Sequence, residues 1–261
     1  MILIDTHTHL YSDKFSTDVD EVIARAKKNK VHYFFLPAID SEHTQSMYDL
    51  EKKYPEEIGL MMGLHPTSVQ KETYLSELKH VEEQFLQRDF CAVGEIGIDL
   101  YWDQSTLEIQ KQAFRHQIKL AKSKKLPIII HCRNAFDEVF EVLEEEKSTE
   151  LHGIFHCFTG DLAQAKKAIA YQMKLGIGGV ATFKNGKIGQ FLNQIDLKYI
   201  VLETDSPYLA PSPHRGKRNE SSYVRLIAEK VASLYAVSLD ELAAITTKNA
   251  VEIFKNFNFG N

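Results

Sequence analysis

Two histidines separated by one residue, His7 and His9, follow a short apolar run near the start of the chain. If this run is a β-strand, alternate side chains share a face, so Asp5, His7 and His9 lie together and both imidazoles can bind one metal ion. A His-x-His pair alone does not establish a metal site, because a loop or a solvated strand end gives the same pattern. A metal site therefore requires further ligands elsewhere in the chain.

Four more residues of ligand type lie at or near the ends of other apolar runs. They are Glu95, His131, His156 and Asp205. If the runs are parallel strands of a barrel, their carboxyl ends meet where barrel active sites lie. A lone buried histidine is usually hydrogen-bonded in a core, but four imidazoles and two carboxylates together would cost several kcal/mol if left unpaired. We therefore predict that all six residues bind metal.

The mixture of imidazole and carboxylate suits zinc, manganese or iron better than magnesium, which prefers oxygen ligands. Six ligands exceed the three or four that one catalytic zinc ion uses, so we expect two divalent ions that share a carboxylate and a water molecule. Glu95 is the predicted bridge between them. His7 and His9 are expected to share one ion, with His131 and His156 on the other.

Three carboxylates have further expected roles, namely the predicted ligand Asp205 and its neighbours Glu203 and Asp5. Asp205 is predicted to be a ligand, the general base, or both in succession, because a carboxylate beside a metal-activated water molecule can take its proton. Glu203 lies about 7 Å deeper along the same strand face. It either orients a ligand imidazole or pairs with a basic residue inside the barrel. Asp5 is expected to orient an imidazole from behind.

Basic and aromatic residues follow the same strand ends. We predict that His65, Arg133 and Arg215 contact a substrate phosphate, because arginine binds phosphate through paired donors and the loop after the last barrel strand often receives it. The alternative for the loop that holds Arg215 is a solvated, charged segment. Tyr101 and Trp102 follow the strand of Glu95 and either stack a nucleobase or shield the top of the barrel.

Eight apolar runs that alternate with amphipathic stretches position these residues. The predicted strands are residues 2–10, 32–39, 58–64, 91–97, 128–132, 153–158, 173–178 and 199–205. Helical periodicity and capping signals predict helices at 18–28, 41–54, 74–88, 104–124, 134–146 and 161–171, a short helix within 182–197, and two more at 221–235 and 238–257. Near-continuous apolar strands suit a parallel sheet covered on both faces.

This alternation predicts an α/β fold of parallel βαβ units. A length of 261 residues fits a TIM-type (β/α)8 barrel with an extra C-terminal helix, and an open doubly wound sheet is the alternative. Because no break in composition divides the chain, we predict one domain over residues 1–261.

The composition restricts the function classes. A formal net charge of −5 argues against an extended nucleic-acid footprint, and three cysteines are too few for a disulfide framework. The chain shows neither a signal sequence nor 18 consecutive apolar residues. We therefore expect a cytoplasmic protein that does not associate with membranes, and no obligate protein partner is evident.

In combination, the motifs resemble the TatD family of metal-dependent deoxyribonucleases, within the amidohydrolase-like superfamily. They are DTHTHL (5–10), GLHP (63–66), GEIGID (94–99), LP (126–127), HCR (131–133), HCFTG (156–160), ETDSPYLAP (203–211) and RGKRN (215–219). The resemblance extends from residue 4 to about 223 and implies the same six ligands and the same three phosphate contacts. One departure is Asn219-Glu220-Ser221, where the family usually continues Asn-Glu-Pro, which concerns only the geometry of this loop.

The resemblance implies hydrolysis of phosphodiester bonds by metal-activated water, most specifically at the 3′ end of DNA, with single-stranded DNA or 3′ ends as substrate. Two divalent ions are the implied cofactor, with zinc, manganese and magnesium as candidates. One alternative is an amidohydrolase-like hydrolase of a small amide, ester or organophosphate, although a neutral amide has no need of the basic loop. The other is a non-catalytic binding subunit, which the complete ligand set disfavours.

Overall fold

The chain folds into one eight-stranded parallel sheet in which the strands follow chain order from β1 to β8; the computed structural model describes residues 1–260. The strands are β1 (Leu3–Asp5), β2 (Val31–Leu36), β3 (Ile58–Met62), β4 (Ala92–Asp99), β5 (Ile128–Arg133), β6 (Gly153–Phe155), β7 (Met173–Ile177) and β8 (Ile200–Leu202). Just beyond their carboxyl ends, β1 and β8 approach each other, where the Thr6 amide donates to the Leu202 carbonyl at 3.0 Å. The sheet is thus a nearly closed barrel, which confirms the TIM-type prediction over the doubly wound alternative.

Six helices follow the first six strands and cover the outside of the barrel. They are α1 (Val19–Lys28), α2 (Thr44–Lys53), α3 (Tyr74–Gln87), α4 (Leu107–Lys124), α5 (Phe136–Glu145) and α6 (Leu162–Ala170). The short helix expected within 182–197 is replaced by 3₁₀ turns, including Ile188–Gln190 and Leu192–Gln194. Gly186 and Gly189 explain the difference, because each glycine disfavours an α-helix by about 1 kcal/mol relative to alanine.

Two helices follow β8, and the second closes the amino-terminal end of the barrel. They are α7 (Val224–Tyr235) and α8 (Leu239–Ile253). Ile253 and Phe254 pack among inward-facing residues of the strands, such as Ile129, and the ring of Phe254 stacks on Phe35 with centroids 3.7 Å apart. The extra C-terminal helix therefore fills one end of the barrel with apolar side chains, while polar residues occupy the other end.

In the part of the chain that the structure describes, residues 1–260, no helix is both long enough and apolar enough to cross a membrane.

Candidate metal centre

The carboxyl ends of the strands bring the six predicted ligands together at one end of the barrel. An open cleft of about 610 Å³ lies there, lined among others by His9, His65, Glu95, Trp102, His131, Arg133, His156, Asp205 and Tyr208. His7 is completely buried beneath it. This end of a barrel is where enzymes of the fold place their active sites, because loops from all eight strands converge there.

Glu95 lies at the centre of the cluster and faces histidines on both sides. Its Oε2 is 3.0 Å from Nε2 of His7 and 3.8 Å from Nε2 of His9. Its Oε1 is 2.8 Å from Nδ1 of His131 and 2.8 Å from Nε2 of His156. Each oxygen of one carboxylate thus faces one histidine pair, which is the arrangement expected of a carboxylate shared by two cations.

A local irregularity in β4 turns Glu95 inward. The pairing of β4 with β5 is regular except for a register shift between Gly94 and Ile96, so Glu95 is left out of the ladder. Such bulges redirect a side chain and often lie next to active sites. The backbone amide of Glu95 donates instead to the carbonyl of Ala38 at 3.2 Å, which ties this position to the segment after β2.

Asp205 lies in the segment after β8 and faces His7 and His9. Its Oδ1 is 3.5 Å from Nε2 of His9 and 3.8 Å from Nε2 of His7. The residue has a φ of 57°, in the left-handed region that aspartate tolerates better than most residues. A hydrogen bond of 2.9 Å from its amide to the His7 carbonyl holds it beside the β1 end.

The donor atoms present fit divalent cations. Three groups of three side chains have ligand atoms within 4.8 Å of one another: His7, His9 and Glu95; His7, His156 and Asp205; and His65, Glu95 and His131. Both ring nitrogens of His7 are buried, and within residues 1–260 neither makes a well-aligned hydrogen bond, although Nε2 lies 3.0 Å from Oε2 of Glu95. A buried imidazole without a partner is costly, and a bound cation would supply the missing contact.

The electrostatics of the cluster also favour cations. Burial would raise the pKa of Glu95, but His156, His65 and His7 outweigh it and hold that pKa well below its usual value. Asp205 likewise has a lowered pKa, because the histidines overcome the effect of its burial. Burial lowers the pKa values of His7 and His65, whereas the neighbouring carboxylates overcome burial and raise the pKa values of His131 and His156, so a bound cation would replace the protons of these two rings. Anionic carboxylates and neutral imidazoles are the protonation states that bind metal.

Two side chains lie behind imidazoles of the candidate ligands and can orient them. The Tyr11 hydroxyl donates to the Pro37 carbonyl at 2.6 Å and lies 2.8 Å from Nδ1 of His9. Its oxygen therefore accepts a hydrogen bond from Nδ1–H, and the unprotonated Nε2 faces Asp205. Glu203 lies deep in the barrel, with Oε1 3.4 Å from Nδ1 of His156. Glu203 therefore lies behind the imidazole of His156, a candidate ligand, which is one of the two positions considered for it.

Asp99 supports His131, and its role is missing from the sequence prediction. Its Oδ2 is 2.8 Å from Nε2 of His131, so Nδ1 of that ring faces Glu95. Its Oδ1 accepts hydrogen bonds from the amides of Tyr101 at 2.9 Å and Trp102 at 3.3 Å. The signal was present in the GEIGID motif, because residues four apart on a strand share a face and Asp99 follows Glu95 at that spacing.

Asp5 is placed differently from the expectation that it orients an imidazole. Its carboxylate accepts hydrogen bonds from the amide of Thr204 at 2.8 Å and from the Thr204 hydroxyl at 2.6 Å. Burial raises the pKa of Asp5 to about 7, against the opposing effect of these hydrogen bonds. Closure of the barrel places the end of β8 beside β1. The Thr204 amide there needs a hydrogen-bond acceptor, and Asp5 supplies it. Asp5 therefore anchors the segment that carries Asp205.

The three predicted phosphate contacts lie in three different settings. His65 is inside the cluster, with Nε2 3.2 Å from Oε1 of Glu95 and 3.2 Å from Nδ1 of His131. Arg133 is exposed and lines the cleft. Arg215 lies outside the cleft lining, with its guanidinium 4.1 Å over the ring of Phe183. The structure therefore does not bring the three together at one point.

Part of the basic loop, residues 215–219, is held to the barrel by hydrogen bonds. Arg218 donates two hydrogen bonds to Asp18, at 2.8 and 2.6 Å, and a third to the carbonyl of Lys14 at 2.7 Å. Next to it, Glu220 accepts three hydrogen bonds from Arg25, of which the shortest is 2.7 Å. Arg218 is thus a structural residue, and less of the loop's positive charge is free than the sequence indicates.

Comparisons with known sequences relate this chain to metal-dependent hydrolases. A profile described as TatD related DNase matches residues 4–255. The uncharacterized metal-dependent hydrolase YabD of Bacillus subtilis (strain 168) is 39% identical over 255 residues, covering 97% of this chain and 99% of YabD. The uncharacterized metal-dependent hydrolase YcfH of Escherichia coli (strain K12) is 33% identical over 258 residues, covering 97% and 96%.

A solved structure shows the same architecture. The crystal structure of YjjV, a TatD homolog from Escherichia coli K12, matches with a TM-score of 0.89 and 28% sequence identity, over 97% of this chain and 98% of YjjV. The family profile and relatives above 30% identity both span nearly the whole chain. The chain therefore belongs to the TatD-related DNase family, as its motifs indicate, and is a metal-dependent hydrolase.

Proposed function

We propose that this hydrolase is a deoxyribonuclease that removes nucleotides from the 3′ end of DNA. The observation that carries the proposal is Glu95, whose two oxygens each face one histidine pair on the floor of an open cleft. When bound there, two divalent cations would activate water and offset the negative charge that develops on the phosphoryl oxygens. His7 and His9 would hold one cation, and His131 and His156 the other.

Asp205 and Glu95 divide the catalytic work in this proposal. The Asp205 side chain is 14% exposed and that of Glu95 only 2%, so Asp205 is the carboxylate that reaches solvent in the cleft. Its lowered pKa keeps it ionised near pH 7, so it can take a proton from the attacking water molecule. Glu95 stays deprotonated beneath it and holds the two histidine pairs at a fixed separation.

Two basic residues are placed to bind the reacting phosphate. Arg133 and His65 both line the cleft beside Glu95. Arg215 lies outside the lining, so we assign it to a phosphate further along the strand. The formal net charge of −5 favours a short contact with a DNA end over a long duplex footprint, because affinity for duplex DNA depends on the number of phosphates neutralised.

A small organic substrate is the second candidate. The cleft volume of about 610 Å³ and its apolar lining residues Ile39, Val180 and Leu209 suit a small amide, ester or organophosphate. The same pair of cations would activate water against a carbonyl carbon. Arg133 weighs against this candidate, because a neutral substrate offers no negative charge to pair with its guanidinium.

The test is an assay of 3′-labelled single-stranded DNA with protein loaded with Mg²⁺, Mn²⁺ or Zn²⁺. We expect release of the labelled terminal mononucleotide. Glu95→Gln keeps the side-chain shape but removes the shared charge, so activity should fall by more than the roughly 10- to 100-fold that loss of an outer contact costs. Glu83→Gln, on the exposed face of α3, is the matched control.

Two outcomes would contradict these assignments. If no ion supports nucleotide release while a small ester or organophosphate is hydrolysed, the second candidate replaces the nuclease. If nucleotide release survives in Glu95→Gln, Glu95 is not the carboxylate that the two cations share.

A further inference from the structure

One side of the cleft carries exposed aromatic rings beside a cation. Trp102 is 71% exposed and Tyr101 53%, both in the loop between β4 and α4. The Arg133 guanidinium lies 3.7 Å from the Tyr101 ring centroid and 5.6 Å from that of Trp102. The two rings meet edge to face with centroids 4.9 Å apart. A large ring left in water at the edge of a cleft indicates a binding surface.

The other side of the cleft has a similar pair. Tyr208 is 46% exposed, and the Lys14 ammonium lies 4.7 Å from its ring centroid. Tyr208 belongs to the loop after β8, while Trp102 belongs to the loop after β4. Strands four apart in a closed eight-stranded order lie on opposite sides of a barrel, so the two rings flank the centre that holds Glu95. Both rings line the cleft.

Hydrogen bonds connect the loop that holds Trp102 to the candidate metal ligands. Asp99 binds His131 through Oδ2 and the amides of Tyr101 and Trp102 through Oδ1. The Asp99 backbone is itself held by Gln110, which accepts from its amide at 2.8 Å and donates to its carbonyl at 3.1 Å. The height of Trp102 above the cluster is thus set by the same carboxylate that orients a ligand imidazole.

We propose that Trp102 and Tyr208 are stacking platforms for the bases of the two nucleotides on either side of the phosphate that is cleaved. This inference rests on the proposed nuclease function. Stacking on an aromatic ring is available to every base, and a nearby cation strengthens it. A base that is paired inside a duplex cannot stack on a protein ring. The substrate is therefore a strand whose last two bases are unpaired.

The alternative is that the rings shield the top of the barrel, and their exposure argues against it. A shielding ring is buried by what it covers, whereas Trp102 is 71% exposed. Exposure alone proves little, because Leu86 on α3 is 83% exposed. What distinguishes Trp102 and Tyr208 is that each lies in the cleft lining beside a cation.

The first experiment uses Trp102 as its own reporter, because it is the single tryptophan of the chain. Metal-loaded protein is titrated with single-stranded DNA whose phosphorothioate linkages resist hydrolysis, and tryptophan fluorescence is recorded. We expect quenching by this strand and little quenching by a fully abasic strand of equal length. Equal quenching by both strands, or none while fluorescence anisotropy of a labelled strand shows binding, would overturn the proposal.

The second experiment separates the two platforms. Trp102→Ala and Tyr208→Ala should each raise KM for single-stranded DNA by about tenfold with little change in kcat, and Trp102→Phe should restore most of the loss. One abasic nucleotide, in the last or the penultimate position, should cancel the effect of one variant and not of the other. Leu86→Ala is the control for loss of an exposed apolar side chain.

Unchanged KM in both variants, or losses that persist on abasic strands, would refute the platforms. A wild-type protein that hydrolyses no strand would refute the nuclease function instead. The fluorescence titration still decides the stacking in that case, because it requires no turnover.

Discussion

The substitution Glu203→Gln tests how a buried carboxylate prepares a metal ligand. Oε1 of Glu203 accepts a hydrogen bond from the Cys157 amide at 2.5 Å and lies 3.4 Å from Nδ1 of His156. The carboxylate favours a proton on Nδ1, which leaves the lone pair of Nε2 toward Glu95. A glutamine has one oxygen for two donors, so either the Cys157 amide loses its acceptor or an NH₂ group faces Nδ1 and favours the tautomer that cannot bind metal.

The expected cost follows from this loss of orientation. Removing the partner behind a ligand histidine typically lowers metal affinity about 10- to 100-fold, which corresponds to about 1.4 to 2.8 kcal/mol. The metal-free fold should lose stability as well. Glu203 is completely buried and is one of the groups that raise the pKa of His156, so its substitution removes a charge partner of that imidazole and can leave the Cys157 amide without an acceptor.

The assay is competition with a chelator of known affinity, with metal content and thermal unfolding measured on the same samples. We expect one of two bound ions to weaken in Glu203→Gln, and the Tm of the metal-free protein to fall. Glu83→Gln on the exposed face of α3 should leave both quantities unchanged. Full affinity for both ions in Glu203→Gln, or a fall in Tm without any change in affinity, would refute the reasoning.

Two further predictions concern stability. Phe254→Ala removes the ring stacked on Phe35 at the closed end of the barrel, so chemical unfolding should show a loss of about 3 to 5 kcal/mol with activity per folded molecule unchanged; a loss below about 1 kcal/mol contradicts this packing role. Arg25 lowers the pKa of Glu220 against the effect of burial, so this ion pair stabilises the fold above the ordinary pKa of 4.5 and is lost as pH falls through the lowered value. Glu220→Gln should therefore have a shallower decline of Tm below about pH 4.5, and equal slopes would exclude the contribution.

Much of the fold could be predicted because it depends on local pattern. All eight predicted strands and the eight helices before and after the 182–197 segment are present, since apolar runs and helical periodicity are properties of neighbouring residues. The segment 182–197 was the exception. Its buried apolar residues at 188, 191, 192 and 195 have helical spacing, but Gly186 and Gly189 oppose a helix, so contacts with the finished barrel decide its 3₁₀ turns.

The candidate ligands could be identified for a similar reason. Parallel strands in chain order place their carboxyl ends at one end of the barrel, so His7, Glu95 and Asp205 had to converge wherever their strands lay. The roles of neighbouring residues did not follow in this way. Asp5 pairs with Thr204 and not with an imidazole, and His65 lies among the ligands and not beyond them.

The sequence by itself therefore determined the family, the barrel and the six residues of ligand type, because these depend on residue identity and on spacing along single strands. Only the tertiary structure decided which oxygen of Glu95 faces which histidine pair, that Asp99 joins His131 to the loop of Trp102, and that Arg218 pairs with Asp18. These contacts join residues that are distant in the chain or lie in loops. Their distances depend on barrel closure and strand register, which no local pattern specifies.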